Sequence, residues 1–181
     1  MRLFGPSGLH RDARQVPSPN CDDRPAGAKT TLLVLHSISL PPGEFSGDAI
    51  EKLFTNRLDP AAHPAFGELQ NLRVSAHFLV RRDGELIQFV PVHRRAWHAG
   101  VSRWRGRQRC NDFSVGVELE GTPQHSFADP QYAQLARLVR ALRSALPLRE
   151  IAAHSDVAPG RKSDPGDRFD WSRLFFTLAA R

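Results

Sequence analysis

Three residues of this sequence have the types and positions of a metal-binding set. His36 closes an apolar run that begins at residue 31, His154 closes another that begins at residue 150, and Asp164 follows ten residues later. Two imidazoles and a carboxylate are ligands of catalytic zinc sites, in which a fourth position stays open for water. Such an ion would polarise a carbonyl and lower the pKa of its water to about 7. The spacing alone leaves an alternative open, in which Asp164 belongs to a simple turn and His154 is a core residue.

Two further residues could serve a hydrolytic reaction. Glu118 lies in the alternating run SVGVELEG (114–121), on the face opposite three aliphatic side chains. A carboxylate beside an activated water can take its proton and return it to a leaving amine, although an ordinary solvent-facing residue is the alternative. Lys162 stands two residues before Asp164 in a chain that has only three lysines. Its ammonium could stabilise an oxyanion, and a chance position is the alternative.

The elements that would position these residues follow from hydrophobic periodicity and turn signals. Apolar or alternating runs predict five strands: Thr31–His36, His77–Arg82, Leu86–Pro91, Ser114–Gly121 and Glu150–His154. Asp83-Gly84 joins the second and third strands as a hairpin. Helical spacing predicts three helices: Asp48–Phe54 with Ser46 or Asp48 as N-cap, one opened by Asp129-Pro130 and ended by Pro147, and one that Asp170 caps before Trp171. Residues 55–72, 94–111 and 154–170 are predicted to be loops.

Length and composition are typical of one globular domain. The chain has 181 residues, of which 40% are hydrophobic and 24% charged. Residues 1–30 contain four prolines and no apolar period, which predicts an irregular segment that wraps around the rest. Strands mixed with helices predict an α/β (mixed α+β) fold, with a single domain over residues 1–181.

Composition also argues against several classes of protein. No apolar run approaches the roughly 20 residues of a membrane span. The start of the chain becomes charged before an apolar signal region can form, which favours the cytoplasm. Cys21 and Cys110 are too few for a disulfide scaffold and are expected to be reduced. The net charge of +6, with 22 arginines among 25 basic residues, fits either an anionic partner such as nucleic acid or a compositional preference for arginine.

Several longer blocks of sequence carry a resemblance to a known family. In order from about Arg14 to Phe175 they are RQVPSPN, LLVLHSISLPPGEF, LRVSAHFLVRRDGELIQFV, RAWHAGVS, RCNDFSVGVELEGT and HSDVAPGRKSDPG. Through these blocks the sequence closely resembles the cytoplasmic 1,6-anhydro-N-acetylmuramyl-L-alanine amidases of bacterial peptidoglycan recycling (the AmpD type). It is also similar to the wider zinc N-acetylmuramoyl-L-alanine amidase family, which includes phage lysozyme-like amidases and peptidoglycan recognition proteins.

The resemblance implies roles for ten residues. It makes His36, His154 and Asp164 the ligands of Zn2+, Glu118 the general base and acid, and Lys162 the cation that stabilises the oxyanion. Five further residues are implied to contact substrate: Ser37, Arg73, Trp97, His98 and Arg109. Tryptophan would offer a flat face to the sugar or lactyl group, and the arginines would pair with substrate carboxylates.

Three positions distinguish this sequence within the wider family. Phage-type relatives carry a tyrosine before the histidine of the first hairpin strand, whereas Ala76 precedes His77 here, as is usual in the recycling amidases. Phage-type relatives commonly use cysteine as the third ligand, where this chain has Asp164. Ser37 stands where the family often has asparagine, so a hydroxyl replaces an amide at that implied substrate contact.

The resemblance implies a mixed central β-sheet flanked by helices, with a zinc site in a cleft on one face. Loops 37–73 and 94–112 are expected to form the walls of this cleft. We expect hydrolysis of the amide between the lactyl group of anhydromuramic acid and L-alanine, by a cytoplasmic monomer that binds small anhydromuropeptides but no membrane or nucleic acid. The same resemblance implies an influence on muropeptide signals for β-lactamase induction. Three alternatives stay open: an amidase for intact murein outside the cytoplasm, a non-catalytic peptidoglycan-binding module, and a nucleic-acid binder suggested by RWRGRQR (103–109).

Overall fold

The structure is a computed structural model that describes residues 3–180. The strands in that range are β1 (Arg14–Gln15), β2 (Cys21–Asp23), β3 (Leu32–Ile38), β4 (Phe78–Val80), β5 (Leu86–Gln88), β6 (Arg94–Ala96), β7 (Arg103–Trp104), β8 (Arg107–Gln108), β9 (Ser114–Glu120) and β10 (Glu150–Ala153). The α-helices are α1 (Ala49–Phe54), α2 (Asp129–Ala145), α3 (His154–Val157) and α4 (Trp171–Ala179), and 3-10 helices cover Pro64–Leu69 and Cys110–Phe113. None of these helices has the length and apolar character that a membrane span requires.

A six-stranded sheet in the order β1-β5-β4-β9-β3-β10 forms the centre of the fold. β3 pairs in parallel with both β9 and β10, whereas β4 and β5 form an antiparallel hairpin. β3 is buried along its first five residues, as expected for a parallel strand covered on both faces. The fold is therefore mixed α/β with a central mixed sheet and flanking helices, as predicted.

The alternation of side chains along β3 and β9 decides which face carries the candidate site. Leu33 and Leu35 of β3 pack in the apolar cluster that also contains the inner face of α2. His36 therefore emerges on the face opposite α2. In β9, Val117 belongs to the α2 cluster, so Glu118 points the same way as His36. The predicted two-faced character of this strand is confirmed.

Several short elements lie where the sequence predicts loops. β6, β7 and β8 lie within residues 94–111, a 3-10 helix lies within 55–72, and α3 opens the segment 154–170. β6 pairs with β2 and β7 with β8, so these strands depend on distant or hairpin partners rather than on a local apolar period.

The N-terminal segment also differs from the prediction of an irregular stretch. β1 pairs in parallel with β5 and extends the central sheet, and β2 pairs with β6. Both strands obtain their hydrogen bonds from residues more than 70 positions away, which a local pattern does not reveal. The first two residues of the predicted segment, Met1 and Arg2, lie outside the described residues, as does Arg181 at the end of the predicted domain.

Candidate active site

The candidate ligand atoms of His36, His154 and Asp164 converge on one point. Nδ1 of His36 lies 2.9 Å from Nδ1 of His154 and 3.2 Å from Oδ2 of Asp164. The remaining distance, from His154 Nδ1 to Asp164 Oδ2, is 3.0 Å. Around a tetrahedral zinc ion with bonds of about 2.0–2.1 Å, ligand atoms are about 3.3 Å apart. The donor types and their spacing therefore fit a zinc ion held by three side chains.

The strand register explains how residues so far apart in sequence meet. β10 lies parallel to β3 in a register that brings the residue after Ala153 level with His36. That residue is His154, the first residue of α3. The backbone N–H of Ser155 then donates to the backbone oxygen of Asp164 at 3.0 Å. This bond fixes the loop that returns the third donor to the two histidines.

The protonation states of this cluster suit a cation. Burial lowers the pKa of His36 to about 4, so its imidazole is neutral at pH 7 and Nδ1 can carry a lone pair. Burial alone would raise the pKa of Asp164, but hydrogen bonds with His154 and His36 outweigh it and hold that pKa well below the ordinary range. A neutral imidazole and an ionised carboxylate are the forms that bind a metal ion.

Glu118 lies directly beside His36 in the sheet. The two residues are Cα partners in the β3–β9 register, so their side chains are neighbours on one face. Oε2 of Glu118 is buried and has no hydrogen-bond partner among the described residues. Burial and the nearby charge of Asp164 raise the pKa of Glu118 well above 4.5, although Lys162 opposes the shift. The side chain is therefore a buried carboxyl group in the cleft rather than a solvent-facing strand residue.

Lys162 lies at the mouth of the same site. Its backbone N–H donates to the carbonyl of Ala158 at 3.1 Å, which ties the residue to the end of α3. The side chain is exposed and takes part in none of the ion pairs found among residues 3–180. Its charge acts on both His36 and Glu118. A free ammonium beside the cluster can stabilise negative charge that develops on a bound substrate.

A cavity of about 510 Å³ surrounds these groups. It is lined by the candidate metal ligands, Glu118 and Lys162. Further lining residues come from the end of β3 and from the segments that follow β3, precede β4 and follow β6, among them Ser37, Leu40, Leu72, Arg73, Trp97 and His98. Both loops that were predicted to wall the cleft, 37–73 and 94–112, contribute to the lining.

Four of the five implied substrate contacts lie in this cavity, namely Ser37, Arg73, Trp97 and His98. The fifth, Arg109, does not line it; its side chain is 72% exposed and pairs with Asp112. Arg109 borders an adjoining cavity of about 520 Å³.

Two residues near the metal cluster escape the sequence analysis. Arg161 donates from Nη2 to the carbonyls of Ala99 and Val101, at 2.6 and 2.8 Å, and lines both cavities. The carbonyl of Ala99 also lies 3.3 Å from Nε2 of His154, the nitrogen that faces away from the cluster. Ser114 is the second of these residues, and it bonds to His98. In the sequence, nothing distinguishes Arg161 from an ordinary surface arginine or Ser114 from an ordinary core serine.

The sequence matches a protein family and several individual relatives. The family model described as N-acetylmuramoyl-L-alanine amidase matches residues 26–167. A relative from Escherichia coli (strain K12), 1,6-anhydro-N-acetylmuramyl-L-alanine amidase AmpD, is 58% identical over 164 residues, which cover 90% of each chain.

Solved structures resemble this chain over most of its length. The crystal structure of a selenomethionine derivative of AmpD matches with a TM-score of 0.95 and 52% identity, covering 97% of this chain and 99% of the other. The E. coli amidase AmiD, in complex with the substrate anhydro-N-acetylmuramic acid-L-Ala-D-γ-Glu-L-Lys, matches with a TM-score of 0.61 and 28% identity, covering 85% of this chain and 60% of that one.

Proposed function

Because the chain belongs to the N-acetylmuramoyl-L-alanine amidase family, in its AmpD type, we propose that it hydrolyses the amide between the lactyl group of 1,6-anhydro-N-acetylmuramic acid and L-alanine of the stem peptide. The name of the E. coli relative and the substrate in the AmiD complex support this choice of bond. We assign the reaction to the recycling of peptidoglycan in the cytoplasm by a monomer. An influence on muropeptide signals for β-lactamase induction would follow from the consumption of this substrate.

One observation carries the proposal. Three donor atoms of His36, His154 and Asp164 lie within 3.2 Å of one another, and the carboxylate of Glu118 adjoins them in the same cavity. This is the arrangement that hydrolysis of an amide requires, because it joins an electrophilic centre to a group that can accept a proton. A binding module has no use for an unpaired buried carboxylate at that position, which disfavours the non-catalytic alternative.

Zinc held by His36, His154 and Asp164 would supply Lewis acidity and an activated water. Glu118 would accept the proton of the attacking water and then deliver it to the amide nitrogen as the alanine departs. The raised pKa of Glu118 favours both steps, because it makes the carboxylate a stronger base toward the proton of the water. Lys162 would stabilise the oxyanion with its exposed ammonium.

The remaining residues of the cavity would bind and orient the substrate. Trp97 offers an apolar face to the sugar or the lactyl group, and Ser37 offers a hydroxyl to the amide. Arg73 has a guanidinium near the cavity mouth, with Nη1 bonded at 3.1 Å to the carbonyl of Gln70, and can pair with a carboxylate of the peptide. Arg109 would reach only the part of a stem peptide that extends beyond the cavity.

The arginines of RWRGRQR favour a structural role over nucleic-acid binding. Arg105 pairs with Glu150 at 2.9 Å, and the guanidinium of Arg107 lies 3.7 Å from the centre of the Phe113 ring. Both cations are therefore engaged within the protein. These contacts give two of the four arginines in this stretch partners within the protein.

Replacement of the proton acceptor tests the mechanism. In the Glu118→Ala variant we expect turnover of a soluble anhydromuropeptide to fall by about 10²–10⁴-fold or more, because general acid–base catalysis contributes that much. Zinc content per protein should stay unchanged, since Glu118 is not a ligand. Glu85→Ala, which removes an exposed carboxylate on the β4–β5 hairpin, is the matched control and should retain activity. An active Glu118→Ala enzyme would remove Glu118 from this role.

The choice of substrate is tested by the products. Mass spectrometry of the reaction with 1,6-anhydro-N-acetylmuramyl-L-alanyl peptides should show free 1,6-anhydro-N-acetylmuramic acid and an intact peptide that begins with alanine. Whole sacculi incubated in parallel should release far less product. Faster release from sacculi would favour an amidase of intact murein instead.

A further inference from the structure

We propose that His98 is a positioning residue that fixes the tautomer and orientation of the metal ligand His36. The inference uses the proposed function only in assuming that His36 binds zinc. It gives His98 a task other than the substrate contact that the family resemblance implies.

The hydrogen bonds of the two rings define the connection. Nδ1 of His36 faces the other donors of the cluster, and its Nε2 lies 2.9 Å from Nδ1 of His98. Nε2 of His98 lies 3.2 Å from Oγ of Ser114, and that hydroxyl lies 2.6 Å from the carbonyl of Cys110. The imidazole rings of His36 and His98 meet nearly at right angles, with their centres 5.0 Å apart.

Only one arrangement of protons satisfies this chain. A metal ion at Nδ1 of His36 leaves the proton on Nε2, which must then donate to His98. Nδ1 of His98 must accept, so the proton of His98 is on Nε2 and donates to Ser114. The hydroxyl of Ser114 donates in turn to the carbonyl of Cys110, which can only accept. The series therefore has a fixed direction, and it ends on a backbone group that cannot reverse it.

Strand β9 has a glycine at the position where the His98 ring packs against it. Gly116 faces His98 from β9, and a Cβ built on Gly116 would lie 2.4 Å from Cγ and 2.6 Å from Nδ1 of His98. No side chain fits between the strand and the imidazole, so the absence of a Cβ at Gly116 is what lets the ring lie against the sheet. Gly116 is two residues before Glu118 on the same face of β9, so the strand that carries the proton acceptor also seats His98.

The second histidine ligand, His154, has a comparable hydrogen-bond partner. Nε2 of His154 lies 3.3 Å from the carbonyl of Ala99, the residue that follows His98. Partners of this kind orient a ligating imidazole and increase its basicity, and their loss commonly weakens metal affinity by 10–100-fold. The turn at residues 98–99 would thus orient both histidine ligands at once.

Zinc affinity at fixed pH, measured by competition with a chromophoric chelator and without substrate, tests the inference. We expect His98→Leu to weaken zinc binding by about 10–100-fold. His98→Asn, whose amide oxygen can take the place of Nδ1 as acceptor, should stay much closer to the wild type. Ser102→Ala is the matched control, because it removes another buried hydroxyl that bonds to the backbone of Cys110, in this case as acceptor from the N–H at 3.1 Å. This variant should leave zinc affinity unchanged.

A spectroscopic measurement keeps the test independent of folding defects. In the zinc-loaded wild type, the Nε2–H proton of His36 should give a protected, downfield-shifted resonance that persists in His98→Asn. It should exchange rapidly in His98→Leu and shift in Ser114→Ala, which removes the next acceptor in the chain. If His98→Leu fails to fold, the His98→Asn and Ser114→Ala variants still test the inference through the resonance of the His36 Nε2–H proton.

The outcomes separate this inference from the proposed function. Equal zinc affinity in the wild type and His98→Leu, or equal losses in His98→Leu and His98→Asn, would overturn the positioning role and leave the amidase proposal intact. A wild-type protein that binds no zinc would contradict the proposed metal chemistry itself.

Discussion

His77 is a buried histidine outside the metal cluster that the fold keeps neutral. Nδ1 accepts a hydrogen bond from the N–H of Gly116 at 3.0 Å, which leaves the proton on Nε2, 3.0 Å from the carbonyl of Arg94. A charged ring would have to place a proton on Nδ1 and lose the first bond. Burial, together with the guanidinium of Arg24 at 3.1 Å, lowers the pKa of His77 to about 3.

This shift predicts a loss of stability in mild acid. The unfolded chain takes up a proton at His77 near the ordinary pKa of 6.5, whereas the folded protein does not until about 3. Between those values the unfolded state binds more protons, so the free energy of unfolding falls by up to about 1.4 kcal/mol per pH unit as the pH decreases. Urea unfolding of the metal-free protein at pH 7.5 and 5.5 should show a smaller difference for His77→Gln than for the wild type. Identical pH dependence in the two proteins would contradict the assignment.

The candidate site shows which of its features can be predicted from residue types and which depend on the fold. His36, His154 and Asp164 stand out in the sequence because each comes at or after the end of an apolar run and each can bind a metal. Their meeting depends on the parallel pairing of β3 with β10, which no local pattern contains. His98 shows the reverse case, since the resemblance implies a substrate contact, while the two nitrogens of its ring bond to His36 and Ser114.

At the scale of elements, the sequence predicts best where local chemistry is sufficient. Asp170 is the predicted N-cap of α4, and its side chain accepts a hydrogen bond from the N–H of Arg173 at 2.8 Å. Asp48 precedes α1 as predicted but makes no capping bond, because its carboxylate pairs with Lys52 instead. β6 is not predicted at all, since the residues Arg-Arg-Ala have no strand pattern and depend on pairing with β2. Non-local partners thus account for most of the differences.

A buried ion network connects the segment after β3 to the sheet. Glu120, whose side chain is 3% exposed, accepts bonds at 2.8 Å from Nη1 of Arg81 and from the backbone N–H of Ser46. Arg81 also donates from Nη2 to Glu51 of α1 at 2.8 Å and to the carbonyl of Gly47 at 2.6 Å. One set of bonds therefore connects strand β9, the β4–β5 hairpin, helix α1 and the loop that precedes α1.

Removal of one member of this network should strongly destabilise the protein. Glu120→Ala leaves Nη1 of the buried Arg81 and the N–H of Ser46 without their acceptor, while Glu51 still pairs with Nη2, and we expect a loss of about 1–3 kcal/mol in the free energy of unfolding. The double variant Arg81→Met/Glu120→Ala should lose less than the sum of the single variants Arg81→Met and Glu120→Ala, because neither charge of this pair then stays buried without the other. Urea denaturation of the four proteins measures this coupling.

A surface pair provides the control for that experiment. Lys52 and Asp48 are bonded at 3.0 Å, but their side chains are 46% and 64% exposed. Lys52→Ala should therefore change the unfolding free energy by less than about 1 kcal/mol. A loss in Glu120→Ala as small as that in Lys52→Ala would show that the buried network contributes little.

At the scale of the whole molecule, the candidate metal site joins parts of the chain that are remote in sequence. His36 and His154 are 118 residues apart, and Asp164 lies in a separate loop beyond α3. His36 lies in β3 and His154 directly follows the neighbouring edge strand β10, so the cluster forms only when β3 and β10 are paired. Metal affinity should consequently be a property of the folded state and not of any local peptide.

Zinc should therefore stabilise the complete fold. A ligand that binds only the folded state adds RT ln(1 + [L]/Kd), which is about 2.7 kcal/mol when free zinc is 100 times its dissociation constant. Calorimetry of the chelator-treated protein, before and after zinc is restored, should show a corresponding rise in Tm. His154→Ala removes a ligand from the cluster and should lose this rise, and Mg2+ should give little in the wild type because it prefers octahedral oxygen ligands. A zinc-dependent rise of equal size in His154→Ala would mean that the stabilising ion binds elsewhere.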